Sequence, residues 1–176
     1  MTSDDMRFLR LEDLEEKKPF DCGDAELNGF FYHDAADFSR EMLANTFVIE
    51  DGSATVAYFS LLNDKISSEM ADRNLWRKLR KSFSHRKHLG SYPAVKIGRL
   101  AVSEAYMGQG IGTEIIFAIK QMLIRSRRAS ACRFLTLDAY RRAVPFYEKN
   151  GFRPLVMGAS EDNVPMYYDL KELKMQ

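Results

Sequence analysis

Apolar positions change their spacing along the chain, and each change marks an element. From Met6 to Leu11 they alternate with polar ones, which predicts a first strand. Asp13 to Lys18 is charged, and Pro19 ends any local helix, so this stretch is expected to be a surface connection. Between Ala25 and Met42, Leu27, Phe30, Phe31, Asp34, Ala35 and Phe38 fall on one helical stripe, apolar except for Asp34. Asp24 is placed to cap that helix. Thr46 to Glu50 and Ala54 to Asn63 are two β-rich runs, and Asp51-Gly52-Ser53 between them signals a hairpin. Ser67 to Ser84 reads as a polar helical excursion. Met70, Leu75, Trp76 and Leu79 form a narrow docking stripe there among Arg73, Arg77, Lys78, Arg80 and Lys81.

The second half repeats the alternation of strand and helix. Pro93 opens a central strand, and Val95 to Val102 is rich in apolar and β-branched residues. Glycines then occupy every second position in Met107-Gly108-Gln109-Gly110-Ile111-Gly112. Ile111, Ile115, Ile116, Ile119, Met122 and Leu123 follow at the spacing of an amphipathic helix. Arg125 to Ser130 is a polar break, and Arg133 to Leu137 is another buried strand. Pro145 is tolerable only in the first turn or two of a helix, so the helix ending at Gly151 is short or starts late. Phe152 to Met157 and Val164 to Leu170 close the chain as two strands. The order β-α-β-β-α-β-α-β-α-β-β predicts an α/β fold, a mixed central sheet with helices on both faces. Without repeats, linkers or low-complexity stretches, residues 1–176 are expected to form a single domain.

Composition narrows the class. Apolar and charged residues at 45% and 29% are those of a soluble globular protein. Cys22 and Cys132 have neither metal-site nor disulfide-framework spacing, and Cys22 is read as a small packing residue. His85 and His88 lack a third ligand, so no metal site is expected. The acidic start Met1-Thr2-Ser3-Asp4-Asp5 is not a secretory signal, and no apolar run spans a bilayer. A cytoplasmic protein without membrane partners is the expectation. Charge is uneven: residues 1–63 carry 5 Lys/Arg against 14 Asp/Glu, whereas residues 64–142 carry 17 against 6. A basic middle suits a polyanion, but a solvated helix face has the same composition.

The chemistry concentrates at the strand, glycine turn and helix start. Glycines let the backbone turn tightly, and the first N–H groups of a helix lack internal partners. With the helix dipole they form an anion site suited to phosphate or pyrophosphate. A triphosphatase loop needs Gly-Lys-Ser/Thr, but Thr113 and Glu114 follow Gly112. The spacing Gly108-x-Gly110-x-Gly112 is also not that of a dinucleotide-binding fingerprint.

Arg99-Leu100-Ala101-Val102 followed by Gly110-x-Gly112 closely resembles the acetyl-CoA loop of the GNAT N-acetyltransferases. That loop reads Arg/Gln-x-x-Gly-x-Gly/Ala, and here Met107 takes the Arg/Gln place. One missing hydrogen bond is worth roughly 0.5–1.5 kcal/mol, so weaker cofactor binding is expected rather than none. Ala143-Val144-Pro145-Phe146-Tyr147 through Gly151-Phe152 resembles the GNAT motif Asn-x-x-Ala-x-x-Phe-Tyr-x-x-x-Gly-Phe, with Tyr140 in place of the Asn. Phe20-Asp21-Cys22-Gly23-x-x-x-Leu27-Asn28-x-Phe30 resembles the N-terminal signature of one GNAT branch. These are the acetyltransferase toxins, which pair with ribbon-helix-helix antitoxins and acetylate aminoacyl-tRNA.

The resemblance implies acetyl-CoA as co-substrate, without a metal, and transfer of acetyl to a primary amine. It places Leu100, Ala101, Val102, Met107, Gly108, Gln109, Gly110, Ile111, Gly112, Thr113, Ala143 and Phe146 on the cofactor. It also implies that the pantetheine lies between the Leu100–Val102 strand and the Arg133–Leu137 strand, with a backbone N–H near Val102 facing the thioester carbonyl. Tyr147 lies where the family carries its acid, and a phenol with a normal pKa near 10 is protonated at neutral pH. No base is identified. The acceptor is left open between an unspecified amine and aminoacyl-tRNA with an antitoxin partner. A CoA-binding module without turnover is the alternative, and a homodimer is left open.

Overall fold

A computed structural model describes residues 7–84, 87, 89–126, 129–155 and 157–173. Met6, His85 and His88 lie outside them. Seven strands form one mixed sheet in the order β1-β2-β3-β4-β5-β7-β6. Their ranges are β1 Leu9–Arg10, β2 Asn45–Asp51, β3 Ala54–Ser67, β4 Ser91–Val102, β5 Phe134–Tyr140, β6 Arg153–Pro154 and β7 Asn163–Asp169. The helices are α1 Ala25–Gly29, α2 Ala35–Arg40, α3 Arg73–Lys81, α4 Ile111–Arg125 and α5 Val144–Lys149. The chain divides into two compact units, residues 1–62 with 97–119 and residues 63–96 with 120–176.

In the first unit the hairpin forms around Gly52, whose φ of +49° only glycine adopts without strain. Strands β2 and β3 pair antiparallel with a bulge at Ile49/Glu50, and β1 adds Leu9 opposite Val48. The helix expected over Ala25–Met42 is not continuous. Asp24 caps α1 as predicted, accepting from the Glu26 and Leu27 N–H groups at 3.0 and 3.1 Å. A π turn over Phe30–Asp34 then separates α1 from α2, with the Ala35 N–H donating to the Phe30 carbonyl. The extra residue turns Asp34 out of the stripe and into solvent, so Phe30, Phe31 and Ala35 are buried without it. These three join Leu11, Phe20, Cys22, Val48, Tyr58 and Ala101 in one core. The Tyr58 hydroxyl donates to the Leu27 carbonyl at 2.7 Å, which satisfies a phenol buried among three phenylalanines.

In the second unit β5 and β7 pair antiparallel from Phe134↔Asp169 to Tyr140↔Asn163, and β6 pairs with β7. Strand β3 continues to Ser67, so the expected helix over Ser67–Ser84 starts only at Arg73, where the Asp72 carboxylate accepts from the Leu75 N–H at 2.7 Å. Met70, Leu75, Trp76 and Phe83 pack against a core of Ile66, Leu79, Tyr92, Ala94, Phe134, Leu155 and Tyr167. The exposed side of α3 keeps Arg73, Arg77, Lys78 and Lys81. Strand β4 begins at Ser91, ahead of Pro93, and β5 runs on to Tyr140, beyond the predicted Leu137. Strand β6 covers two residues of the Phe152–Met157 run expected as a strand, the Leu155 N–H still donates to the Pro165 carbonyl at 2.8 Å, and Val156 lies outside the described residues. Asp169 at the end of β7 receives Arg133 on both oxygens, at 2.7 and 2.8 Å. Burial alone would raise its carboxyl pKa, but the guanidinium holds it below the usual value.

Candidate active site

The strand end, turn and helix of the first unit follow one another as the spacing predicted. Ala101 is buried in the core with Phe30 and Tyr58, so Leu100 and Val102 occupy the opposite face of β4. The Ser103 N–H donates to the Val56 carbonyl at 2.8 Å, and a 3-10 turn over Glu104–Tyr106 follows. The Met107 N–H closes that turn on the Glu104 carbonyl at 3.3 Å. Of Met107, then, both the side-chain donor and a free backbone N–H are missing from the anion site, and its side chain is exposed. Gly108 and Gly110 have φ of +75° and +78°, and nothing lies within 4 Å of where a Cβ would stand on either. Helix α4 then starts at Ile111, which is buried, while Gly112 is half-buried and Thr113 exposed in its first turn. The Glu114 N–H closes the first helical bond to the Gly110 carbonyl at 3.1 Å. An open, left-handed glycine backbone leading into the N-terminus of a fifteen-residue helix fits a pyrophosphate.

The N-terminal signature is built against this loop. Asp21 Oδ1 accepts from the Gly23 N–H and from Asn28 Nδ2, both at 2.8 Å. Asn28 Oδ1 in turn accepts from the Cys22 N–H at 3.0 Å and from its Sγ at 3.2 Å. The Asp21 carbonyl then takes the Glu104 N–H at 2.9 Å, tying the knot to the turn that precedes the glycines. Burial raises the Cys22 thiol pKa, and its side chain packs in the core while its Sγ donates to Asn28 Oδ1. Glu26 and Phe30 both engage Arg99 on β4.

In the second unit, a 3-10 turn over Arg141–Ala143 leads from β5 into α5, and Pro145 stands in the first turn as required. Gly151 has φ +85° and its N–H returns to the Glu148 carbonyl at 3.0 Å, closing the helix end. Ala143, Phe146 and Tyr147 are half-buried. The Tyr147 ring meets Phe146 and Phe152 edge-on at 5.1 and 5.7 Å, and among the described residues its hydroxyl has no hydrogen-bond partner. Burial pushes its pKa up to about 12, which keeps the phenol protonated across the physiological range. Tyr140 at the family's Asn position ends β5 and lies under the Arg142 guanidinium at 5.0 Å.

The predicted residues thus fall into two groups, Leu100–Val102 with Met107–Thr113 in one unit and Ala143, Phe146 and Tyr147 in the other. Sequence reasoning missed the Asp21–Asn28 knot, the Arg99 pairing and a buried Lys120. Only the first left a signal, two polar residues seven apart around a glycine. Among the described residues no three His, Cys, Asp or Glu gather as metal ligands, and no helix is long and apolar enough to cross a membrane.

A strand, a left-handed glycine loop and a helix N-terminus on a mixed sheet define an anion-binding α/β domain. The family is given by a model described as the acetyltransferase (GNAT) domain, which matches residues 43–154. The chain belongs to the GNAT acetyltransferases. Solved structures with the same fold include AtaT complexed with acetyl-methionyl-tRNAfMet, at 20% identity over 95% of this chain and 96% of that one, TM-score 0.76. AtaTR bound with AcCoA matches at 22% identity over 96% and 95%, TM-score 0.74. An AtaT mutant toxin bound to the C-terminus of the antitoxin AtaR matches at 20% over 96% and 94%, TM-score 0.72.

Proposed function

We propose that this chain, as one acetyltransferase domain, moves the acetyl group of acetyl-CoA onto the α-amino group of an aminoacyl-tRNA. The observation that carries the acceptor is helix α3, where five of nine residues are basic. Its exposed Arg73, Arg77, Lys78 and Lys81 form no ion pair among the described residues. Such a face suits the phosphates of a polynucleotide, and AtaT, which shares the fold, is solved with an acetylated aminoacyl-tRNA.

Acetyl-CoA supplies an activated acyl group, so the amine nitrogen forms the new C–N bond as the C–S bond breaks. Gly108 to Thr113 would hold the pyrophosphate through backbone N–H groups, with Ala143 and Phe146 as further contacts. Leu100 and Val102 would line the pantetheine, whereas Ala101, expected there from the sequence, turns its side chain into the core. A backbone N–H near Val102 would stabilise charge on the carbonyl oxygen. Tyr147 would hand its proton to the departing sulfur and recover one from solvent. The amine proton passes to water. An α-amino group has a pKa of about 7.7–8.0, so much of it is neutral near pH 8 and no protein base is needed. Within this reading the protein is cytoplasmic and is bound by an antitoxin, as AtaT is by AtaR.

The test supplies purified protein with labelled acetyl-CoA and, separately, aminoacylated total tRNA, spermidine and a lysine peptide. Acetylated aminoacyl-tRNA is the expected product, and replacing Arg77, Lys78 and Lys81 by Glu should remove it. Acetylation of the small amines alone would replace this acceptor with a small-amine substrate. Binding without thiol release from any mixture would leave a CoA-binding module.

A further inference from the structure

Lys120 is a buried charge that neither the glycine loop nor the proton donor uses. It lies on α4, is 6% exposed, and its ammonium donates to the Asn150 carbonyl at 2.5 Å. The same nitrogen sits 3.6 Å from the centre of the Tyr168 ring and 5.3 Å from that of Phe152. Both partners lead to Tyr147. The Asn150 N–H donates to the Tyr147 carbonyl at 3.0 Å, its side-chain Nδ2 donates to the Phe146 carbonyl at 2.9 Å, and the Phe152 N–H also donates to the Tyr147 carbonyl, at 3.0 Å. The Phe152 ring touches the Tyr147 ring edge-on at 5.7 Å.

Helix α5 needs such support. Six residues are too few for a helix to hold itself. The last carbonyls of a helix carry partial negative charge, which a cation at the C-terminus relieves. Between Lys120 and Tyr147 the backbone leaves no slack: a Cβ on Gly151 would stand 3.0 Å from Tyr168 Cε2 and 3.9 Å from Lys120 Nζ. An aromatic face adds attraction for the ammonium that a neutral side chain lacks.

We propose that Lys120 is a positioning residue for Tyr147, its ammonium clamping the end of α5 and the Phe152 ring so that the phenol keeps one orientation. This rests on the reading of Tyr147 as the proton donor. The titratable groups around the ammonium are Tyr168 from β7 and Glu172 from the turn after it, while α5 faces it with the uncharged Asn150. Burial lowers the Lys120 pKa to about 8, against the attraction of Glu172. The clamp therefore loses its charge on the alkaline side of neutrality, far below the titration of Tyr147 at about 12.

The experiment measures single-turnover transfer from acetyl-CoA to aminoacylated total tRNA in Lys120→Met, Lys120→Arg, Tyr147→Phe and the double variant Lys120→Met/Tyr147→Phe. Lys120→Met should slow transfer by roughly 10–100-fold, the scale of a misplaced catalytic group, with acetyl-CoA affinity unchanged. The double variant should be no slower than Tyr147→Phe alone, because Lys120 then has nothing left to position. Lys120→Arg should restore most of the rate and remove the alkaline fall near pH 8. Losses that multiply in the double variant, or a full rate in Lys120→Met, overturn the proposal. Should Lys120→Met fail to fold, an unchanged pH profile in Lys120→Arg overturns it. A wild-type rate in Tyr147→Phe is a separate result: it overturns the proton-donor reading, and this proposal with it.

Discussion

The Arg99 guanidinium lies 3.8 Å from the centre of the Phe30 ring, and its Nη2 reaches Glu26 Oε1 at 3.1 Å. These contacts join β4 to the N-terminal helical segment across 73 positions of sequence. The Arg of the Arg99-Leu100-Ala101-Val102 run thus has a structural partner on the core side.

Arg99→Met should therefore cost stability and not cofactor affinity. Glu26 is more than half exposed, so the ion pair adds little, and the ring contact adds about 1 kcal/mol. The Arg99 Nε is buried without a hydrogen bond, and its removal offsets part of that loss. Urea unfolding should show a drop of about 1 kcal/mol or less, and calorimetry an unchanged acetyl-CoA affinity. A large loss of affinity would mean that Arg99 contacts the ligand.

Two substitutions at Gly110 separate strain from charge. Gly110→Ala meets open space, so its cost is the left-handed φ of +78°, about 1–2 kcal/mol of stability. Gly110→Asp adds a carboxylate where a pyrophosphate should lie, and calorimetry should detect no acetyl-CoA binding. Equal affinity for wild type and Gly110→Asp would remove the loop from the cofactor site.

Met107→Arg should tighten acetyl-CoA binding by roughly 2–10-fold, the worth of one hydrogen bond of about 0.5–1.5 kcal/mol. The Met107 side chain is exposed and its N–H already serves the Glu104 carbonyl, so the change adds a donor without disturbing the turn. A neutral result would show that another group supplies that contact.

Tyr147→Phe keeps the edge-on contacts to Phe146 and Phe152, so melting temperature and acetyl-CoA affinity should hardly change. Transfer should slow by roughly 10²–10⁴-fold, the usual contribution of a positioned acid. With the phenol raised to about 12 by burial, the wild-type rate should show no tyrosine titration near pH 10. If the acceptor is aminoacyl-tRNA, expression of the wild type should arrest growth and the Phe variant should relieve it. Arrest that persists in the variant would remove Tyr147 from the mechanism.

Lys120 also makes stability depend on pH in a direction opposite to its effect on rate. Its folded pKa of about 8 lies below the ordinary 10.5, so the unfolded chain binds its proton more tightly. Stability therefore falls as pH drops from 10.5 to 8 and rises again on the way back. Relative to Lys120→Met, the wild type should gain up to about 3 kcal/mol across that window. Chemical denaturation of both proteins at pH 7.5 and 10 checks the sign; a relative loss would mean that the ammonium is stabilised by its surroundings.

The features legible in the sequence are those where one residue constrains its own backbone. Gly108, Gly110 and Gly151 sit at positive φ, Asp24 caps α1, and Pro145 stands in the first turn of α5, because each is decided by local sterics or a bond within a few residues. The strand, loop and helix around them follow from apolar spacing, which is why Ile111 faces the core as expected, while Ala101, placed on the cofactor by the resemblance, is buried in the core instead. Tertiary structure decided the rest. The stripe of Phe30, Phe31, Asp34 and Ala35 predicts a regular helix, but burying three of these among Phe20 and Tyr58 while keeping Asp34 in water requires an extra residue per turn. The Asp21–Asn28 knot gains meaning only when Glu104 arrives on the Asp21 carbonyl from 83 positions away. Lys120 reads as one polar residue after Ile119. Only the packing of Tyr168 and the end of α5 around it makes burying a charge tolerable, because rings and a carbonyl replace part of the water it loses.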